Sequence, residues 1–100
     1  MEILHLTLKK EWFDMILSGE KKEEYREIKP YWLKRLSKNG FLKEFSFVKF
    51  KNGYSKNAPE ITMEVLSISI DWGVYEWGAE NDNKYFVIKL GQKISQRNIK

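Results

Sequence analysis

The densest chemistry in the sequence lies in Gly19-Glu20-Lys21-Lys22-Glu23-Glu24-Tyr25-Arg26, which fits the pattern G-x-K-x-x-E-x-R. An ammonium, a carboxylate and a guanidinium in one short stretch offer proton transfer and anion binding. A lysine whose pKa is lowered by burial takes a proton from water, and a carboxylate passes it to a leaving group. An arginine forks onto a carboxylate or a phosphate. Spacing decides whether these groups meet. In a regular strand Glu24 and Arg26 share a face, whereas Lys21, three positions before Glu24, points the other way. Residues 19–22 must therefore form a turn or bulge if all three are to face one pocket, and Gly19 permits this through its freedom at positive φ. Without that turn the stretch is a solvated strand, whose cross-strand ion pairs are worth under about 1 kcal/mol each.

Rings and acids elsewhere supply further candidates. Trp72, Tyr75 and Trp77 lie in a Gly-containing acidic loop, Asp71 to Asn83, beyond a predicted strand. Base stacking on such rings is worth roughly 1–3 kcal/mol, so Trp72 and Trp77 join Gly19, Lys21, Glu24 and Arg26 as candidate ligand contacts. Trp12, Phe13, Tyr31 and Trp32 fall on predicted helices and are assigned to the core. His5 alternates away from an apolar face and is read as a structural histidine. Asp71 and Glu64 are candidate additional carboxylates, and the exposed-side spacing of Glu64 equally fits a surface acid.

Composition narrows the function classes. The chain has 100 residues, 42% of them hydrophobic and 15% aromatic, enough for one globular domain over residues 1–100. It has no cysteine and a single histidine, which excludes disulfides, Cys-ligated zinc and two-His metal motifs. No calcium-loop pattern occurs, and no cofactor is expected. The start, MEILHLTLKK, lacks the basic-then-apolar order of a signal peptide, and no apolar run approaches the roughly 20 residues of a membrane span. A cytoplasmic protein without a membrane partner is the expectation.

Charge is unevenly spread. The net charge is +4, but residues 29–56 hold eight basic residues (Lys29, Lys34, Arg35, Lys38, Lys43, Lys49, Lys51, Lys56) against Glu44 alone. Residues 57–83 hold six acids and no Lys or Arg. The basic block fits a phosphate-facing surface as well as it fits a solubilising one. With 15 Lys and 3 Arg, it suits loose backbone attraction better than base reading.

The elements that must position these groups follow from periodicity. Leu4, Leu6 and Leu8 alternate in a strand over Ile3 to Leu8. Phe13, Ile16 and Leu17 recur at helical spacing between Lys10 and Ser18, and Gly19 stops that helix. Lys21 to Ile28 is a polar strand. Pro30 opens a second helix through Leu36, which Asn39-Gly40 is expected to end. Phe45 to Phe50 is a strand, followed by the turn dipeptide Asn52-Gly53. Within Glu60 to Ile70 the apolar set moves from Ile61, Met63 and Val65 to Leu66, Ile68 and Ile70, the signature of a bulge or barrel bend. Tyr85 to Leu90 is the last clear strand, and a polar tail begins at about Gln92. The class is α+β, and curling the strands into a small barrel would bury both edges.

The motif and its surroundings resemble the ASCH family, small PUA-like β-barrels related to other RNA-binding modules. LHLTLKKEWFDMILSGEKKEEYRE looks like the family's strand–helix–motif unit, and WGAENDNKYFVIKLG like its closing loop and strand; together they cover roughly half of the chain. The resemblance implies a PUA-like barrel with two short helices covering its ends. It also implies a cleft beside the motif that takes RNA or a modified nucleoside. Some small members are amidohydrolases that deacylate N4-acetylcytidine, using the motif Lys, a Thr three residues later and a distant Glu. Here Lys21 matches the Lys, but Glu24 stands at the Thr position, and Glu64, Glu76 and Glu80 compete for the distant carboxylate. Catalysis on a nucleoside or on RNA would then rest on Lys21 and Glu24. A charged Glu24 would hold Lys21 protonated, which favours a binding module over the hydrolase.

Overall fold

A computed structural model describes residues 2–99. The first strand, β1 (Ile3–Thr7), buries Leu4 and Leu6, with Leu8 just beyond it, and leaves Ile3 and His5 exposed, as the alternation requires. Helix α1 (Lys10–Leu17) buries Phe13 and Ile16. The chain leaves it through Gly19 at φ +86° and enters β2 (Glu23–Glu27). Ser18 to Glu20 make the turn, and Lys21 and Lys22 follow it, outside the strand. The condition for Lys21 and Glu24 to converge is thus met.

Helix α2 (Pro30–Leu36) begins on Pro30, whose missing N–H costs nothing there. It ends at Leu36, where the spacing places its last residue. Asn39-Gly40 does not cap it but turns a small hairpin, β3 (Ser37–Lys38) and β4 (Phe41–Leu42), with φ of 54° and 81° at the two turn residues. Two successive positive φ angles are what a tight hairpin demands, and Asn-Gly supplies them most readily.

Three further strands complete the sheet, the short β5 (Phe47–Lys51) and the long β6 (Glu60–Trp72) and β7 (Lys84–Arg97). Strand order is β1-β5-β6-β7-β2, with β1 and β5 parallel and every other neighbour antiparallel. The bulge expected in β6 is present, with register shifts between Thr62 and Met63, Met63 and Val65, and Val65 and Ser67; of the second apolar set Ile68 packs against the core, while Leu66 and Ile70 are exposed. These bulges bend the longest strand pair and curl the sheet into a half-barrel. The polar segment after Gln92 continues β7 to Arg97, because its backbone pairs with Glu60–Met63 of β6 and backbone pairing is indifferent to side-chain polarity.

The core fills the inner face. Leu4, Leu6 and Leu8, Val48 and Phe50, Ile61 and Met63, and Phe86, Ile88 and Leu90 meet Phe13, Ile16 and Leu36 of the two helices. A smaller cluster covers the opposite face of β7, where Ala79 packs with Tyr85 and Val87 against Tyr25. This second cluster matters for the site, since it seats the β6–β7 loop over the outside of β2. Gly73 is obligatory there: a Cβ would lie 2.5 Å from the Ala79 Cβ and 2.8 Å from the Tyr25 ring. The sheet remains open between its edge strands β1 and β2, and the motif lies along that opening. No helix of the described residues is long and apolar enough to cross a membrane.

Candidate functional site

Register places the motif residues. Glu24 lies opposite Ile88 and Arg26 opposite Phe86, two core residues, so both charged side chains are directed to the inner face. Tyr25 lies opposite Val87 and takes the outer face. A carboxylate aimed into a core is stable only if its charge is met. It is met twice. Glu24 Oε1 is 3.1 Å from Lys21 Nζ, and Glu24 Oε2 accepts a hydrogen bond of 2.7 Å from Arg26 Nη2. The exposures of the three side chains are 2% for Lys21, 7% for Glu24 and 18% for Arg26.

Each cation makes a second attachment. Lys21 Nζ donates to the carbonyl of Trp77 in the β6–β7 loop. It sits 4.6 Å from the centroid of the Trp12 ring and 5.1 Å from that of Tyr25, within cation–π range of both. Arg26 Nη2 also donates to the carbonyl of Thr7, at 3.2 Å, and so bridges the two sheet edges. The guanidinium carbon lies 4.9 Å from the centroid of Trp32. Arg26 Nε is the one buried side-chain polar atom without a partner among the described residues. Tyr25 locks the loop from outside, accepting from Val74 N–H at 2.8 Å and donating to Glu23 Oε1 at 2.8 Å.

Burial is the largest influence on Lys21 and lowers its pKa; the charge and hydrogen bond of Glu24 oppose it. Arg26 lowers it further and Glu11, on α1, raises it. The Tyr25 phenol is pushed up, chiefly by burial, and stays protonated.

Beside this triad opens a cleft of about 420 Å³, lined by Thr7, Leu8, Lys9, Trp12, Glu24, Tyr25, Arg26, Glu27 and Trp32. Charged groups on β2 form its polar side, and two half-buried indoles, one from each helix, form its apolar walls. Of the four helical rings assigned to the core, Phe13 is buried there and Trp32 packs against that core while also lining the cleft, whereas Trp12 lines the cleft and Tyr31 is exposed. Trp12 flanks the buried stripe of Phe13 and Ile16 on α1 and Trp32 lies one turn before the buried Leu36 on α2, and no spacing rule shows that either position borders an opening. Two larger grooves, of about 670 and 640 Å³, lie elsewhere and include none of the three motif residues.

The remaining predicted residues disperse. Gly19 lines a separate hollow of about 190 Å³ with Lys21, Lys22 and Met63. Trp77 contributes its carbonyl to Lys21, not its ring to the cleft. Trp72 is 55% exposed at the end of β6, with Lys84 Nζ 5.3 Å from its ring. Glu64 accepts from the Gln92 N–H, Glu80 from Asn83, and Glu76 is exposed. Among the described residues, Glu24 alone forms an ion pair with Lys21. No group of three His, Cys, Asp or Glu is placed there to hold a metal ion. Compared with family models, curated proteins and solved structures, the chain matches none of them.

Two outcomes follow from the triad. Removing one partner of a buried ion pair typically costs about 3–5 kcal/mol, so Glu24→Ala should destabilise by that order in urea unfolding, with Lys21→Met/Glu24→Leu recovering much of the loss. A cost below about 1 kcal/mol would be that of an exposed pair. The second outcome concerns pH. With its folded value lowered from 10.5, Lys21 is protonated more fully in the unfolded chain across the window below 10.5, so its contribution to stability rises with pH there. Tyr25 works the opposite way at high pH, but it is common to wild type and Lys21→Met. The stability of wild type relative to Lys21→Met should therefore grow as pH rises towards 10.5; a constant difference contradicts the assignment.

Proposed function

We propose that this chain is an ASCH-like, PUA-like binding module that takes a base of single-stranded RNA, or a modified nucleoside, in the cleft beside Lys21, Glu24 and Arg26. The observation that carries the reading is the pairing of Trp12 and Trp32 with the Glu24–Arg26 ion pair around one cleft of about 420 Å³. A nucleobase has two apolar faces and a polar edge. Indoles match the faces, and a carboxylate beside a guanidinium offers both an acceptor and donors to the edge. Single-stranded or looped RNA is the favoured target because its bases are free to leave the stack. The resemblance of the motif and its flanks to the ASCH family points the same way, and so does the curled half-barrel.

A second reading, an amidohydrolase acting on an N4-acylcytidine or a nuclease using Lys21 and Glu24, rests on one observation: burial lowers the Lys21 pKa, as proton transfer near neutral pH requires. Against it, the Lys21 ammonium is held by Glu24 and the Trp77 carbonyl and is 2% exposed. A substrate would reach it only after the loop had moved. The geometry favours Lys21 as the residue that positions Glu24 and pins the loop.

Titration with cytidine and uridine monophosphates and with N4-acetylcytidine, read by tryptophan fluorescence, tests the binding reading. At least one should quench the emission saturably. Trp32→Ala should weaken that ligand by roughly 5- to 150-fold, the equivalent of about 1–3 kcal/mol for one stacked base. Binding unchanged in Trp32→Ala would contradict the cleft assignment, and release of cytidine and acetate from N4-acetylcytidine, lost in Lys21→Ala, would establish the hydrolase.

A further inference from the structure

Helix α2 carries a second feature that the cleft does not use. Trp32 faces the cleft, but its other neighbours lead away from it. Arg35 places its guanidinium carbon 5.2 Å from the Trp32 centroid and 5.7 Å from that of Tyr31. Tyr31 and Trp32 meet edge to face at 4.8 Å. With Arg26 on Trp32, cations and rings alternate in the order Arg26, Trp32, Arg35, Tyr31. Arg35 is held in place, since Nη2 donates to the His5 carbonyl at 3.1 Å and Nη1 to the Tyr31 hydroxyl at 3.4 Å. Tyr31 itself is 63% exposed.

The series ends in the groove of about 640 Å³, where Tyr31 and Arg35 are joined by Lys34, Lys43 and Phe45. Glu2 is the only acid lining it. Three cations thus face one carboxylate. Neither Lys34 nor Lys43 enters an ion pair among the described residues, whereas Lys29, Lys49 and Lys51 of the same basic block are paired with Glu27 or Glu60. The free positive charge of the block is therefore partly gathered in this groove, next to an exposed ring.

We infer that α2 and this groove form an extension of the binding cleft, a track along which a single-stranded polynucleotide continues from the base held between Trp12 and Trp32. Arg35, Lys34 and Lys43 meet its phosphates, and Tyr31 stacks a neighbouring base. The occupant follows from complementarity: cations alone would suit any polyanion, but cations interleaved with the half-buried Trp32 and the exposed Tyr31 suit a chain whose units alternate phosphate and flat base. This inference rests on the proposed cleft. It adds that the cleft reads one unit of a longer chain and not an isolated nucleoside.

The test is a length series of oligouridylates, from one nucleotide to about eight, measured by fluorescence anisotropy at several salt concentrations. Affinity should rise over the first few nucleotides and then level off. Single-strand binding loses a slope of about 0.7 in log K against log salt for each phosphate contact. Lys34→Gln/Lys43→Gln should therefore flatten the slope by about 1.4 and leave uridine monophosphate binding unchanged. Tyr31→Leu should weaken the oligonucleotide alone. Circular dichroism confirms folding of each variant. Oligonucleotides that bind no better than the monophosphate, or equally well to the double variant, overturn the track and leave the cleft standing. Equal retention of a polyglutamate of matching charge overturns it too, by showing an anion patch indifferent to bases. Failure of monophosphate and oligonucleotide alike would remove the cleft and the track together.

Discussion

The carboxylate of Glu24 lies in the protein interior between two cations, and much of the structure is arranged to keep it there. An unpaired carboxylate facing Ile88 would pay a heavy desolvation cost. Lys21 cannot reach it from a flat strand, so the chain turns at Gly19 and delivers the ammonium from the end of β2. Lys21 then needs a further acceptor, and the Trp77 carbonyl provides one, which draws the β6–β7 loop against the edge of β2. Arg26, bound to the other oxygen of Glu24, reaches the Thr7 carbonyl. A single buried charge thereby ties together a turn, an edge strand, a loop and the strand on the far side of the sheet's opening.

The same arrangement shapes the cleft. The half-barrel leaves a gap between β1 and β2, and Arg26 spans it without filling it. Helices α1 and α2 supply the indoles on either side, each already placed against a cation: Trp12 against Lys21 and Trp32 against Arg26. Cation–π contact fixes the rings at little cost, because the cations are held by Glu24 in any case. The walls of the cleft are thus organised by the protein's own contacts, a condition that would lower the entropic cost of the binding proposed for it.

Much of this was legible in the residues. Alternation at Leu4, Leu6 and Leu8 located the core face of the first strand, the change of face after Val65 pointed to a bulge and coincides with one of the three register shifts, and the three-residue gap between Lys21 and Glu24 required the turn that Gly19 makes. What escaped was set by long-range pairing. Nothing local distinguishes an Asn-Gly that ends a helix from one that turns a hairpin, and the polar residues after Gln92 become strand only because β6 offers them a partner. Hydrophobicity places Trp12, Tyr31 and Trp32 alike in the core, yet of these three Trp32 alone packs against it; whether a helical ring meets core, cleft or solvent depends on where the sheet stays open. Trp72 reads from the sequence as a loop ring facing a ligand, but β6 runs through it and leaves it outside the cleft.

The most direct measurement uses the four tryptophans as reporters. Indole N–H signals, assigned by single substitution in a proton–nitrogen correlation spectrum, would be followed as a pyrimidine nucleotide is added. The account predicts that Trp12 and Trp32 shift together with saturable dependence on the nucleotide while Trp72 stays in place. Shifts confined to Trp72, or none at any indole, would contradict it.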